Sequence, residues 1–201
     1  MADIDAKTVM ALRKQTGAPM MDCKAALQEV GGDVDAAVQA LRKKGLQTAD
    51  TKADRDAAEG AVFSYVHHNG RLGVLVEIAC ETDFVARNEA FQQFGKDVCF
   101  HVAAMNPESL TREEVNSDTL AKERDILTAQ ARETMEGKPD EIIEKAVEGR
   151  MKKFFAERCL MEQPFVKDDA DRDIETVRRE LVGKIGENIQ IKRFMRFELG
   201  G

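Results

Sequence analysis

The sequence has no tryptophan, one tyrosine, three histidines, four cysteines and four prolines in 201 residues. With so few large planar side chains it is poorly supplied for stacking nucleic-acid bases. No apolar run approaches the roughly 20 residues that cross a bilayer as a helix. The opening stretch, MADIDAKTVMALRK, puts acids where a secretory signal would put basic residues and an apolar core. A soluble, cytoplasmic protein is expected, with no membrane partner. The cysteines stand at 23, 80, 99 and 159 with no CxxC pair, the distribution of reduced core thiols in a cytosolic protein. A zinc site drawing on Cys80, Cys99 and His101 or His67 would need a ligand spacing unlike the usual fingers, and no metal or other cofactor is expected.

Catalytic signatures are missing as well. There is no Gly-rich phosphate loop, no GxSxG and no HExxH. Asp168-Asp169 reads as a solvated polar turn, and His67-His68 as residues solvated just before a turn. Arg150, Lys152, Lys153 and Arg158 read as a basic helix face in water. Nothing in this inventory makes or breaks covalent bonds, so the chain is not expected to be an enzyme.

What is present is helix-forming and charged: 43% of residues are apolar and 33% charged, with a net charge of −7. That is globular composition, enough for one large domain or two small ones. Residues 1–56 hold nine bases and nine acids, whereas 57–201 hold 21 and 28 and carry the whole −7. An acidic surface gains nothing from counterion release on a phosphate backbone, so direct nucleic-acid binding is not expected.

The first 45 residues read as three short helices. Ile4, Thr8, Ala11, Leu12 and Gln15 recur at helical spacing, and Gly17 stops the first helix. Pro19 opens a second through Cys23, Ala26, Leu27 and Val30, ending at Gly31-Gly32. Asp33 caps a third, with Val34, Ala37, Val38 and Leu41 buried and Gly45 at its end. Residues 46–58 lack apolar periodicity and read as a linker, helical in part. Then β-branched, alternating segments 61–67 and 72–80 flank Asn69-Gly70, a strong hairpin signal. Leu72, Val74, Val76 and Ile78 share a face of the second strand.

Helical faces follow: Phe91, Phe94, Val98 and Val102; Leu120, Leu127, Ala131 and Met135; Ile143, Val147, Met151 and Phe154. A further helix, capped by Asp173, carries Ile174, Val177, Leu181 and Ile185. The chain ends in another alternating strand with Ile189, Ile191, Met195, Phe197 and Leu199 on one face. This order predicts an α+β fold: an N-terminal three-helix bundle over 1–45, a linker over 46–58, and a core over 59–201 whose small antiparallel three-stranded sheet is backed by helices.

Two segments stand out as recognition elements. In TGAPMMDCKAAL (16–27) the adjacent Met20 and Met21 cannot both face one core, and an exposed, flexible methionine suits a contact point. In ETDFVARN (81–88), Thr82 or Asp83 caps a short helix. Phe84 either packs inward or stands beside Asp83 at the helix tip, an acid next to a large apolar wedge.

These two segments, together with EGRMKKFFAERCLMEQPFVKD (148–168) and GKIGENIQIKRFMRFELG (183–200), resemble signature stretches of bacterial translation elongation factor Ts, in the same order and along essentially the whole chain. The resemblance implies a nucleotide exchange factor that binds GDP-bound elongation factor Tu, displaces Mg²⁺ and lets GTP replace GDP. It implies that the N-terminal bundle is similar to ubiquitin-associated domains and docks on the nucleotide-binding domain of Tu through Met20 and Met21, with Leu12, Asp22 and Lys24 nearby. It assigns Thr82, Asp83, Phe84 and Val85 to the segment inserted near the nucleotide. Longer family members hold two copies of the core, and this chain has room for one. It therefore resembles the short form, expected to dimerise, with the final strand and its Phe194 a candidate surface. The competing reading is an adaptor using only the N-terminal bundle, which would leave residues 80–200 unexplained.

Overall fold

Side-chain caps and glycines set the first turns and stops of the fold. In the computed structural model, which describes residues 4–168 and 172–200, helix α1 (Ala6–Thr16) begins where Asp5 accepts from the Lys7 N–H. It ends at Gly17, whose φ of 69° lets its N–H reach the Arg13 carbonyl at 2.7 Å. Helix α2 (Met20–Glu29) starts after Pro19, and α3 (Val34–Lys52) starts at Asp33, which accepts from the Ala36 N–H at 3.0 Å. Val9, Leu12, Cys23, Ala26, Leu27, Ala37 and Leu41 form one buried cluster among the three helices. The predicted bundle is present. Of the carboxylate pair noted above, Asp169 lies outside the described residues.

The described chain gathers into two compact units. The first takes Met1–Ser64, Leu75–Asp97 and Thr176–Met195; the second takes Tyr65–Val74, Val98–Glu175 and Arg196–Gly201. Three strands form a sheet in the order β1 (Glu59–Val66), β2 (Leu72–Cys80), β3 (Ile189–Glu198), so the C-terminal strand pairs with β2 as expected. Between β2 and β3 come α4 (Asp83–Ala86), α5 (Glu89–Met105), α6 (Ser117–Thr134), α7 (Asp140–Arg158) and α8 (Ile174–Ile185). The α+β class is the observed one.

In the first unit, Gly45 departs from its expected role. It does not end the third helix: α3 runs through it to Lys52, taking in residues 46–52 of the predicted linker. The reason is tertiary. A Cβ built at Gly45 would lie 3.6 Å from the Gly183 Cα of α8, and one built at Gly183 would strike the Gly45 backbone, with its carbonyl carbon and oxygen both at 2.9 Å. The missing Cβ of Gly183 lets α8 meet the α3 backbone at Gly45. Arg42 pairs with Glu180, Arg179 donates to the Leu46 carbonyl at 3.2 Å and bonds Asp50, and Lys52 donates to the Gly186 carbonyl. In the same unit Phe63 of β1 packs on Gly95 and, at a ring distance of 5.7 Å, on Phe91 of α5.

In the second unit, Gly70 takes a φ of 65° at the hairpin turn, where the Arg71 N–H donates to Asn69 Oδ1 at 3.0 Å. Helices α6 and α7 close on Ala131, Ile143, Val147, Met151 and Phe154, the faces read from the sequence. Buried His101 bonds Gln163 Oε1 at 2.9 Å through Nε2 and accepts from the Val166 N–H at 3.2 Å through Nδ1. Gln163 in turn donates to the Glu157 carbonyl at 2.8 Å. The α7 basic face is partly committed: Arg158 pairs with Glu108 at 2.6 Å and lies over the Phe154 ring.

Candidate functional site

Helix α4 is only four residues long, DFVA. A single turn cannot sustain itself against the entropy of fixing its dihedrals, so its shape must come from anchors around it. Thr82 is the N-cap, its hydroxyl accepting from the Val85 N–H at 3.4 Å. Val85 is buried, and Gln92 of α5 donates to the Ala86 carbonyl at 2.7 Å. Asp83 pairs with Arg87 one turn on, at 2.9 Å.

The remaining anchor comes from the loop between α8 and β3. Glu187 accepts from both the N–H and the hydroxyl of Thr82, at 3.0 and 2.8 Å. Next to it, the Asn188 N–H donates to Glu81 at 2.6 Å, and the Asn188 side chain holds the Ala53 and Arg55 carbonyls at 3.1 and 2.7 Å. The Asn188 N–H, helped by Arg55, holds the Glu81 carboxyl below its usual range. Burial, reinforced by the Glu187 charge, pushes the Cys80 thiol up to about 11, so Cys80 stays an unreactive thiol.

Within this frame, Phe84 is 79% exposed. Of the two readings left open by the sequence, inward packing is excluded: the ring stands at the helix tip beside Asp83. At the start of α2, Met21 is 73% and Met20 38% exposed. Asp22 pairs with Lys44 at 2.7 Å, and Lys24 is exposed. Leu12 differs from these, being wholly buried in the bundle core; its side chain has no face to offer and can only support α2 from beneath. The structure thus puts Met20, Met21, Lys24 and Phe84 at the surface, and Leu12, Val85 and the Thr82 hydroxyl in supporting positions. Glu187 was missed by sequence reasoning, although it lies in the GKIGENIQ stretch.

Among the described residues, no group of three or more His, Cys, Asp or Glu side chains is placed to hold a metal, and all four cysteines are buried thiols. No helix among them is long and apolar enough to cross a membrane. The site offers an exposed aromatic ring on an anchored helical turn and an exposed methionine pair at the start of α2.

A family model described as elongation factor TS matches residues 47–172. Elongation factor Ts of Desulforamulus reducens is 55% identical over 200 residues, covering 100% of this chain and 91% of that protein. The chain belongs to the elongation factor Ts family. The same protein of Solidesulfovibrio magneticus is 56% identical over 200 residues, covering 100% and 98%, and that of Geobacter metallireducens 54% over 197 residues, covering 98% and 90%. As an elongation factor Ts family member the chain is a factor of translation elongation, in protein biosynthesis. The pairwise matches, unlike the family model, also take in the α1–α3 bundle and β3, so both segments carrying exposed apolar side chains fall within the family likeness.

Proposed function

We propose that the chain binds elongation factor Tu in its GDP-bound form, displaces Mg²⁺ and promotes GDP release so that GTP can bind. The observation that carries this reading is Phe84, an aromatic side chain 79% exposed on a single helical turn with anchors on both flanks. Burying such a ring gains about 1.5–3 kcal/mol. If the cleft that receives it opens only when the nucleotide site of Tu is deformed, the wedge favours the open state by that amount. Mg²⁺ offsets repulsion between the GDP phosphates and the carboxylates around them, so moving the ion weakens GDP. The coupling is reciprocal: GDP weakens the factor as much as the factor weakens GDP. No bond is made or broken, and the chain acts as an exchange factor rather than as an enzyme in the usual sense.

In this reading Met20 and Met21, flanked by Asp22 and Lys24 and supported by Leu12, dock residues 1–45 on the nucleotide domain of Tu, while residues 59–201 carry the wedge. Release of a fluorescent GDP analogue from Tu tests it. Acceleration by substoichiometric amounts of the folded chain is expected, and an unchanged release rate sinks the proposal. A second reading rests on β3, where Met195, Phe197 and Leu199 are exposed at alternate positions and Phe194 is half-buried on the other face. An exposed apolar row of this kind marks an interaction surface, and the chain is proposed to form homodimers through it. A monomer mass in sedimentation equilibrium at micromolar concentration would refute this.

A further inference from the structure

Helix α4 owes its shape to anchors, and one of those that act by hydrogen bonding arrives from a distant part of the sequence. Val85, Gln92 and Arg87 are neighbours in the chain; Glu187 is 105 residues away from Thr82. Its carboxylate does two separate things. It takes the Thr82 N–H, which sits ahead of the first turn and has no carbonyl of its own there. It also takes the only hydroxyl proton of Thr82, at 2.8 Å, which leaves the oxygen lone pairs free for the Val85 N–H. A hydroxyl that can rotate satisfies a cap only part of the time; one whose proton is claimed by a carboxylate is held in the capping orientation.

Glu187 is itself held. Gly186 takes a φ of 88° and its N–H donates to the Val182 carbonyl at 2.7 Å, ending α8, while Asn188 is 1% exposed and bonded through both its backbone and its side chain. The carboxylate therefore projects from a segment fixed on both sides. Pairing is crossed: Glu81, just before Thr82, accepts from Asn188, just after Glu187.

We propose that Glu187 is a positioning residue for the Phe84 wedge: its bidentate hold on Thr82 keeps α4 formed, so that Phe84 enters the partner without first having to be ordered. This rests on the exchange function proposed above. A wedge that must be ordered as it inserts loses part of its burial energy to entropy, and the loss falls on the insertion step rather than on first docking, which uses α2.

The test compares the full chain with Glu187→Ala, Glu187→Gln, Thr82→Ala and the double variant Thr82→Ala with Glu187→Ala. Amide hydrogen exchange at Val85, Ala86 and Arg87 reads the order of α4 without any partner. GDP release from Tu, titrated to saturation, separates the maximal rate from the half-saturating concentration. Glu187→Ala is expected to speed α4 amide exchange about tenfold, with β2 amides unchanged, and to lower the maximal release rate about tenfold while the half-saturating concentration moves less than twofold. Glu187→Gln, which keeps one acceptor oxygen but turns an NH2 group toward the other Thr82 donor, recovers only part of the rate and falls between the unmodified chain and Glu187→Ala. The double variant loses little beyond the worse single one, because both remove the same device. Unchanged α4 exchange in Glu187→Ala, or additive losses in the double variant, overturns the proposal. If the unmodified chain fails to accelerate GDP release, the exchange function falls, and the amide readout alone decides whether Glu187 orders α4. Should Glu187→Ala not fold, Glu187→Gln and Thr82→Val carry the same comparison.

Discussion

Replacing Phe84 with alanine separates a wedge from a core residue by an order of magnitude in two different observables. With 79% of the residue in water, only about a fifth of its burial energy is in use in the free protein. Taking ~2.5 kcal/mol for a fully buried phenylalanine, the variant should lose about 0.5 kcal/mol of stability, equivalent to a few degrees in melting temperature at most. A buried phenylalanine such as Phe91 would instead cost about 3–5 kcal/mol on truncation. In the proposed complex the other four-fifths, about 2 kcal/mol, is gained when the ring is buried in elongation factor Tu. At ~1.4 kcal/mol per tenfold, its loss should slow stimulated GDP release about thirtyfold. Stopped-flow release of a fluorescent GDP analogue and a thermal melt of the same preparation read the two quantities together. A release rate within twofold of the unmodified chain refutes the reasoning, as does a variant destabilised by several kcal/mol.

Three further predictions concern the α3–α8 contact, the start of α2 and a buried histidine. Gly183→Ala should lose about 1–3 kcal/mol in chemical denaturation because its methyl meets the Gly45 backbone, whereas Gly45→Ala, with room at 3.6 Å, should be neutral or gain up to about 1 kcal/mol from helix propensity; equal effects at the two sites would mean the helices do not meet this way. Met21→Ala should weaken binding to Tu about tenfold with an unchanged melt, while Leu12→Ala should cost about 2–5 kcal/mol of stability; isothermal titration and melting of both variants decide it. Burial holds the His101 imidazole below its ordinary value, so the unfolded chain binds more protons and stability is complete above about pH 6.5 and falls as the pH drops below it. Denaturation midpoints between pH 5 and 8 should show this step in the unmodified chain and lack it in His101→Gln, and parallel profiles would refute it.

The sequence carried those features that are settled within a few residues. Gly17 ends α1 and Asp33 starts α3 because a left-handed φ and a side-chain cap are local matters of sterics and hydrogen bonding. Asn69-Gly70 marked the hairpin, and the spacing of Phe91, Phe94, Val98 and Val102 marked the buried face of α5. The family was legible too, from four ordered stretches. Gly45 shows the limit of such reading. Taken alone, a glycine after Arg42, Lys43 and Lys44 is a stop signal, and in the fold it is a contact surface for Gly183.

The sequence by itself therefore determined the element types, the α+β class, the apolar faces and the family. Each depends on side-chain periodicity or on short-range chemistry, which a linear chain displays openly. Tertiary structure decided which of those residues are at the surface. Leu12 and Met21 are nine positions apart and equally apolar, yet one is wholly buried and the other 73% exposed, because only the packing of three helices says where the core ends. It also decided that Glu187 holds Thr82, a pairing across 105 residues that no local pattern encodes. Burial and long-range hydrogen bonding are properties of the assembled fold, and it is through them that Phe84 stands where it does.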